Sequence, residues 1–430
     1  MHKVDDITID QLTKIEGDAA LTIKIEDGKV KDVQFALTEY KRFYTEAIKG
    51  KPIVAIPQLL ARICGTCSNA HIMCSLEACE SALGITPSPQ TVLLRMLTMY
   101  GLMLRDHALH LYLFVMPDVY RKDSFLDFDE NDPLQHQILH DAFDIKGAGN
   151  FLSNLVAGRS VHAPYPVIGG FTHFPDKAGI DEAKKQLEKI RPAVLRTIKI
   201  FDELGWQFDR NANFMALVPE RFGFLTGCIK TSQNECIEEK DFRNLLEHLV
   251  FPYSQASAYK YKGESYMVGA LARLNLAKEL LNEKTKETLG KTLDKFPSTN
   301  VYLNNLAQAI EILHSLDESL DIFNNNEFKP EPIITAPARD AVGVGVIEAP
   351  RGTLYHKITL GADGIAKEGE IIVPTGQNHI NIQEDIFKMV DGMLAESSKD
   401  EIVFEVEKLI RAYDPCISCA SHFLKVDWQE

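Results

Sequence analysis

Apolar and polar residues alternate from residue 7 to residue 36, where Leu21-Thr-Ile-Lys-Ile25 and Val30-Lys-Asp-Val-Gln-Phe35 flank the turn residues Glu26-Asp-Gly28. This period of two predicts a small antiparallel sheet at the amino end. Beyond residue 52 the period becomes helical. Pro87-Ser-Pro89 opens a long helix whose apolar side carries Val92, Leu93, Met96, Leu97, Tyr100, Met103 and Leu104. An apolar surface that wide suits the middle of a bundle better than its rim. Further helices are expected over 180–204, interrupted at Pro192, and over 270–281 and 303–323, both amphipathic. Lys184-Lys185 and the run 283–286 read as solvated helix faces. Alternation returns from 339 to 374, in Val342-Gly-Val-Gly-Val346, around Ile358 and in Ile371-Ile-Val373, and predicts a β-rich insert. A last helix is expected over 383–413. No repeat, low-complexity tract or linker-like break interrupts the pattern. Residues 1–430 therefore read as a single domain, mainly α and multihelical, with a central helix bundle and small peripheral antiparallel β-sheets.

Composition narrows the function. The 430 residues are 45% hydrophobic and 25% charged, an ordinary balance for a folded chain with a large core. A net charge of −15 repels phosphate backbones, which argues against nucleic acid as a partner. The first ten residues lack an apolar run behind a basic end, so no signal peptide is expected. The most apolar stretch, 92–116, is broken by Arg95, Arg105, Asp106 and two histidines, so no direct membrane span is expected. The expected location is cytoplasmic, or at a membrane through a partner subunit. Gly343-x-Gly345 lacks the third glycine and following helix of a dinucleotide loop, and reads as close backbone packing. Neither a phosphate-cradling lysine loop nor a Gly-x-Ser-x-Gly elbow is found.

The chemistry lies in the cysteines. Of eight, Cys74, Cys79, Cys228 and Cys236 read as buried free thiols. The other four form two Cys-x-x-Cys pairs, in Arg62-Ile-Cys64-Gly-Thr-Cys67-Ser-Asn-Ala-His71 and in Asp414-Pro-Cys416-Ile-Ser-Cys419-Ala-Ser-His422. Two intervening residues let both thiolates face one ion, with Gly65 relieving the first turn. Such soft ligands suit zinc, iron–sulfur centres, nickel or copper. A structural zinc would use all four sulfurs. Zinc pairs, however, normally lie roughly 15–20 residues apart in a small knuckle, whereas these two lie at opposite ends of the chain.

The flanking residues add a resemblance. Arg-x-Cys-Gly-x-Cys-x-x-x-His near the start and Asp-Pro-Cys-x-x-Cys-x-x-His near the end resemble the paired signatures of the nickel–iron hydrogenase large subunit. Leu12-Thr-Lys-Ile-Glu16-Gly17, Arg105-Asp106-His107-Ala-Leu-His110, Ala349-Pro-Arg351-Gly352 and Val373-Pro-Thr375 resemble further segments of that family in the same order. The resemblance runs from about residue 9 to residue 422. It implies a catalytic subunit for reversible, heterolytic cleavage of H2, with electrons passed to an iron–sulfur small subunit. Cys64 and Cys416 would be terminal nickel ligands, and Cys67 and Cys419 would bridge nickel to iron. The iron would carry carbon monoxide and cyanide, built by maturation proteins. The Cys416 sulfur would take the proton and pass it to Glu16, which outside this context reads as a capping or surface glutamate. Arg351 would lean over the metals near one cyanide. Thr375 would donate to the other, with Pro374 beside it. Asp106 and Asp414 would orient Arg351 and the ligands, and His71 would hydrogen-bond a cysteine sulfur. His107 and His110 are left as packing residues.

The match departs at one corner. The family's magnesium would sit by His422 and the Ile371 carbonyl, but the glutamate that helps hold it is replaced by Thr45, with Glu46 one residue late. The ion is then bound through water, through Glu46, or not at all. Residues 423–430 mark either an unprocessed chain or a subgroup that keeps its tail. The remaining cysteines form no ferredoxin-type run, which is why a partner is implied. An H2 sensor would carry the same residues. A non-catalytic relative, such as the quinone-site subunit of respiratory complex I, would lack the cysteine pairs.

Overall fold

The computed structural model describes residues 6–40 and 42–421. The amino end is an antiparallel meander of β1 (Ile7–Ile9), β2 (Ala19–Glu26) and β3 (Lys29–Leu37). Asp27 and Gly28 both take positive φ (53° and 71°), the backbone of a tight hairpin turn whose twist matches the strands. Leu21, Ile23, Val33 and Phe35 alternate inward.

Four long helices form the central bundle. Their hub is α2 (Pro89–Ala108), capped by the Ser88 hydroxyl, which accepts from the Thr91 N–H. It follows α1 (Ser68–Leu83) and packs against α3 (Pro133–Ala157) and a buried later helix, while α4 (Lys177–Glu203) covers both. Leu97, Tyr100, Met103 and Leu104 are buried as the pattern requires, whereas Val92 faces outward at the first turn. The expected break at Pro192 does not occur, because α4 runs through it. Pro192 and Glu188, whose carbonyl it frees, both lie on the solvated side, where water replaces the lost hydrogen bond.

After β4 (Asn213–Val218), α5 (Ala270–Ala277) leads to α6 (Leu303–Asn325). The amphipathic expectation fails for α6, which is buried on every side from residue 304 to 320. Its polar residues face partners instead of water. Glu311 takes a bidentate pair from Arg273 (2.6 and 2.7 Å) and a contact from His107 (2.9 Å), and Gln308 meets His110 at 2.6 Å.

The expected β-rich insert is an antiparallel sheet of β5 (Ala341–Ala349), β6 (Gly352–Leu360) and β7 (Ala366–Ile372). Gly343 and Gly345 bring β5 against α1, as the sequence suggested. A Cβ at Gly343 would collide with the Ala78 carbonyl, and one at Gly345 with that of Cys74. Gly345→Ala is therefore expected to destabilise the fold by about 1–3 kcal/mol, the usual cost of overpacking. Urea denaturation checks this; an unchanged midpoint would refute the close approach.

The single last helix is two. Pro374 sits in the first turn of α7 (Pro374–Met393), and a capping box of Ser398 and Glu401 starts α8 (Lys399–Ala412). Buried apolar side chains from Ile7 to Ala420 form one connected core, with a smaller cluster around Met215 and Tyr355. Cys74 and Cys79 are buried thiols, but Cys228 and Cys236 are not: they form a disulfide across adjacent strands near the surface. Among the described residues, no helix is long and apolar enough to cross a membrane.

Candidate metal centre

The two Cys-x-x-Cys pairs each begin with an extended cysteine and sit at a helix start. Cys64 is extended (φ −145°, ψ 140°) after the turn Ala61–Ile63, and Cys67 caps α1. Cys416 is likewise extended, and Cys419 lies in the short helical turn Ile417–Ala420. Gly65 has no role in relieving this turn, because a Cβ there would meet nothing within 4 Å. The fold brings Cys64 Sγ to 3.4 Å from Cys416 Sγ, and Cys67 Sγ to 3.0 Å from Cys419 Sγ. All four sulfurs are buried and within 4.8 Å of one another. Hydrogen bonds from Cys416 and the other thiols pull Cys64 well below the usual thiol range, whereas burial pushes Cys416 well above it. For all four sulfurs to ionise together this close and out of water, a cation would have to sit among them.

Glu16 comes from the loop between β1 and β2, which pairs backbone to backbone with Cys416; its carbonyl accepts from the Ile417 N–H at 2.9 Å. This directs its side chain inward, so it is no free surface carboxylate, although it also caps the short helical turn Ile417–Ala420. Its Oε2 lies 3.1 Å from Cys416 Sγ and accepts from the Ser418 N–H at 3.0 Å. Burial, and then the negative sulfur of Cys64, raise the carboxyl above its ordinary range, against the Ser418 and Cys416 hydrogen bonds.

Arg351 projects from the β5–β6 hairpin. Its Nη1 donates to Asp106 Oδ2 at 2.8 Å, and its Nη2 lies 3.0 Å from Asp414 Oδ1. Burial opposes the charge, but the two carboxylates and the nearby sulfurs outweigh it and hold the guanidinium protonated. Gln308 on α6 donates to Asp414 Oδ2 at 2.9 Å, and His110 on the same wall donates through Nε2 to the Arg411 carbonyl at 2.8 Å and meets Gln308 Oε1 through Nδ1 at 2.6 Å. The Thr375 hydroxyl accepts from the Cys416 N–H at 2.9 Å, leaving its own hydrogen to donate elsewhere. His71 Nε2 lies 3.6 Å from Cys419 Sγ, and burial lowers this imidazole to about 4, so it is neutral.

A small cavity of about 10 Å³ lies beside these sulfurs. Cys67, Cys416, Cys419, His71, Arg351 and Thr375 line it together with Pro374, Ala349, Pro350 and Leu354. The buried Arg351 Nε has no hydrogen-bond acceptor among the described residues. Soft thiolates, a fixed cation and a hydroxyl donor around a mostly apolar hollow suit a metal group that itself carries small, partly anionic ligands.

The magnesium corner is less complete. Ile371 is buried on β7 opposite His356, whereas Glu46 is exposed and pairs with Lys49 at 2.7 Å. His422 lies outside the described residues, as does the tail after it. Sequence reasoning gave no role to Ser418, to Glu39 (which accepts from the Ser418 hydroxyl at 3.1 Å) or to His356, 3.2 Å from His71. Ser418 at least stood inside a cysteine motif; the other two carried no signal.

Comparisons agree with this geometry. The family profile described as nickel-dependent hydrogenase matches residues 44–135 and 237–422, and one described as HoxL-like matches 6–40. The alpha chain of sulfhydrogenase 1 from Pyrococcus furiosus is 30% identical over 98% of both chains. The matching chain of the F420-non-reducing hydrogenase from Methanothermobacter marburgensis is 27% identical, covering 97% of this chain and 94% of its own. A solved NAD+-reducing [NiFe]-hydrogenase in the H2-reduced state has the same fold, with a TM-score of 0.86 at 23% identity over 98% of this chain and 100% of its own. The chain belongs to the nickel-dependent hydrogenase family, enzymes that oxidise or produce H2.

Proposed function

We propose that Cys64, Cys67, Cys416 and Cys419 hold a nickel–iron centre whose iron carries carbon monoxide and cyanide, and that H2 is cleaved heterolytically beside it. The observation that carries this reading is the four-sulfur cluster beside a small, mostly apolar cavity walled by Arg351. When bound, the centre supplies two adjacent metals that polarise H2 and accept its electrons. All four cysteines would hold the centre through their thiolates; Cys67, Cys416 and Cys419 line the cavity, whereas Cys64 does not.

The chain's own groups do the rest. The Cys416 sulfur takes the proton, and Glu16 receives it over 3.1 Å. A carboxyl made less acidic by burial is suited to accept and release a proton near neutral pH. Arg351 supplies fixed positive charge where anionic ligands crowd, held by Asp106 and Asp414. Thr375 offers its hydroxyl hydrogen to the cavity, Pro374 closes a wall, and His71 donates to the Cys419 sulfur.

Electrons leave through a partner. Among the described residues, the other free cysteines, Cys74 and Cys79, are buried apart from any metal-binding group, so an iron–sulfur small subunit carries the relay and sets where the complex resides. Maturation proteins install the iron ligands. Magnesium, if the chain takes one, would be held by His422 and the Ile371 carbonyl, with water or Glu46 in place of the missing glutamate. Metal analysis and infrared spectroscopy of the purified complex test the reading. Equal nickel and iron with carbon monoxide and cyanide bands are expected; zinc alone without those bands overturns it.

A further inference from the structure

His356 stands at the centre of β6, fully buried, between Gly345 on β5 and Ile371 on β7. The proton path and the metal ligands leave it unused. Its Nε2 lies 3.2 Å from His71 Nδ1, with the two rings stacked at 5.3 Å between centroids. His71 in turn reaches Cys419 Sγ through Nε2. A sulfur, two imidazoles and a β-strand thus form one chain of contacts. Gly345 makes the chain possible, since a side chain there would hold α1, and His71 with it, away from the sheet.

We propose that His356 is a positioning residue: by donating from its Nε2 to His71 Nδ1, it keeps the His71 proton on Nε2 and therefore a hydrogen bond on the Cys419 sulfur. A ligating thiolate can only accept, so His71 can bond to it only if Nε2 carries the hydrogen. A neutral imidazole has one ring hydrogen, and Nδ1 is then bare and must accept. The group facing it is His356 Nε2, which must donate. One proton arrangement satisfies both contacts. The reverse arrangement, with His71 protonated on Nδ1, turns a bare nitrogen toward the electron-rich sulfur and loses that bond. In a buried site, where water does not step in, this costs the full price of an unpaired acceptor. The strand holding His356 is paired on both sides, with Gly345 and Ile371, so the sheet anchors the contact to His71, as outer partners commonly orient metal ligands.

The inference rests on Cys419 being a metal ligand, and its test has an arm independent of that. With 15N-labelled histidine in a diamagnetic state of the intact complex, both His71 and His356 are expected as Nε2–H tautomers. His71 protonated on Nδ1 overturns the proposal whatever the metals do. In the infrared, His356→Leu is expected to shift the carbon monoxide band to lower wavenumber, because a sulfur without its hydrogen bond donates more electron density. His356→Gln, which restores an N–H donor at that reach, is expected to return the band toward its original position. An unshifted band in metal-loaded His356→Leu also overturns it. Metal loss in His356→Leu but not in His356→Gln supports it, since the two differ in that donor. If the unaltered complex shows no carbon monoxide band, the nickel–iron assignment fails, and the tautomer measurement still decides the role of His356.

Discussion

Glu16→Gln is expected to lower H2 turnover by about 10²–10⁴-fold, the span associated with losing a positioned proton acceptor, while nickel, iron and the infrared bands stay in place. Glutamine has the shape of glutamate and can still accept from the Ser418 N–H, so the backbone pairing of Glu16 with Cys416 survives. What it lacks is a site for the proton arriving from the Cys416 sulfur. Conversion of para-hydrogen, which needs H2 to split and recombine at the metals, should be lost less than exchange of D2 with solvent, which needs the proton to leave. Turnover and exchange at unaltered rates would remove Glu16 from the path.

Arg351→Lys is expected to reduce turnover by about 10²–10³-fold, as loss of one oriented charged donor does in other dry sites. The guanidinium spans Asp106 and Asp414 at once, one carboxylate per nitrogen. An ammonium is a point charge on a flexible stem and cannot hold both while facing the cavity. Removing the charge altogether, in Arg351→Met, leaves two buried carboxylates without the cation that spans them and should cost about 3–5 kcal/mol of stability. Thermal unfolding of the two variants separates these effects: lysine should lose activity more than stability, methionine both. Full activity in the lysine variant would mean that the fork is dispensable.

Why some of this was legible in the sequence and some was not follows from how far apart the determinants lie. The cysteines, Glu16, Arg351 and Asp414 sit in short contiguous motifs, so spacing pointed to metal-binding thiolates and the resemblance to a known family implied roles for the others. The first hairpin was legible because Asp-Gly between alternating strands has few other solutions. Helix α6 misled because a periodic mixture of polar and apolar residues looks the same whether its polar side meets water or, as here, Arg273, His107 and His110. Those partners are local in space and remote in sequence. Pro192 misled because a proline breaks a helix only where the freed carbonyl has no water. His356 was invisible for a further reason: in a strand, a histidine facing the core gives no sign of what it will touch.

The paired sulfurs at the metal centre are 352 residues apart along the chain in each case. Closing a loop that long costs about 5 kcal/mol by chain-entropy scaling, and contacts of such reach form late in folding. Until the Cys416 segment zips onto the Glu16 loop, Cys64 and Cys67 stand as a two-thiolate landing place open on one side. Assembly therefore has a direction, with the amino-terminal pair ready first and the carboxyl-terminal pair closing over whatever has been delivered. The same asymmetry should operate in reverse: stripping the metals is expected to speed amide hydrogen exchange first in the turn Ile417–Ala420, before α1 or the bundle loosens.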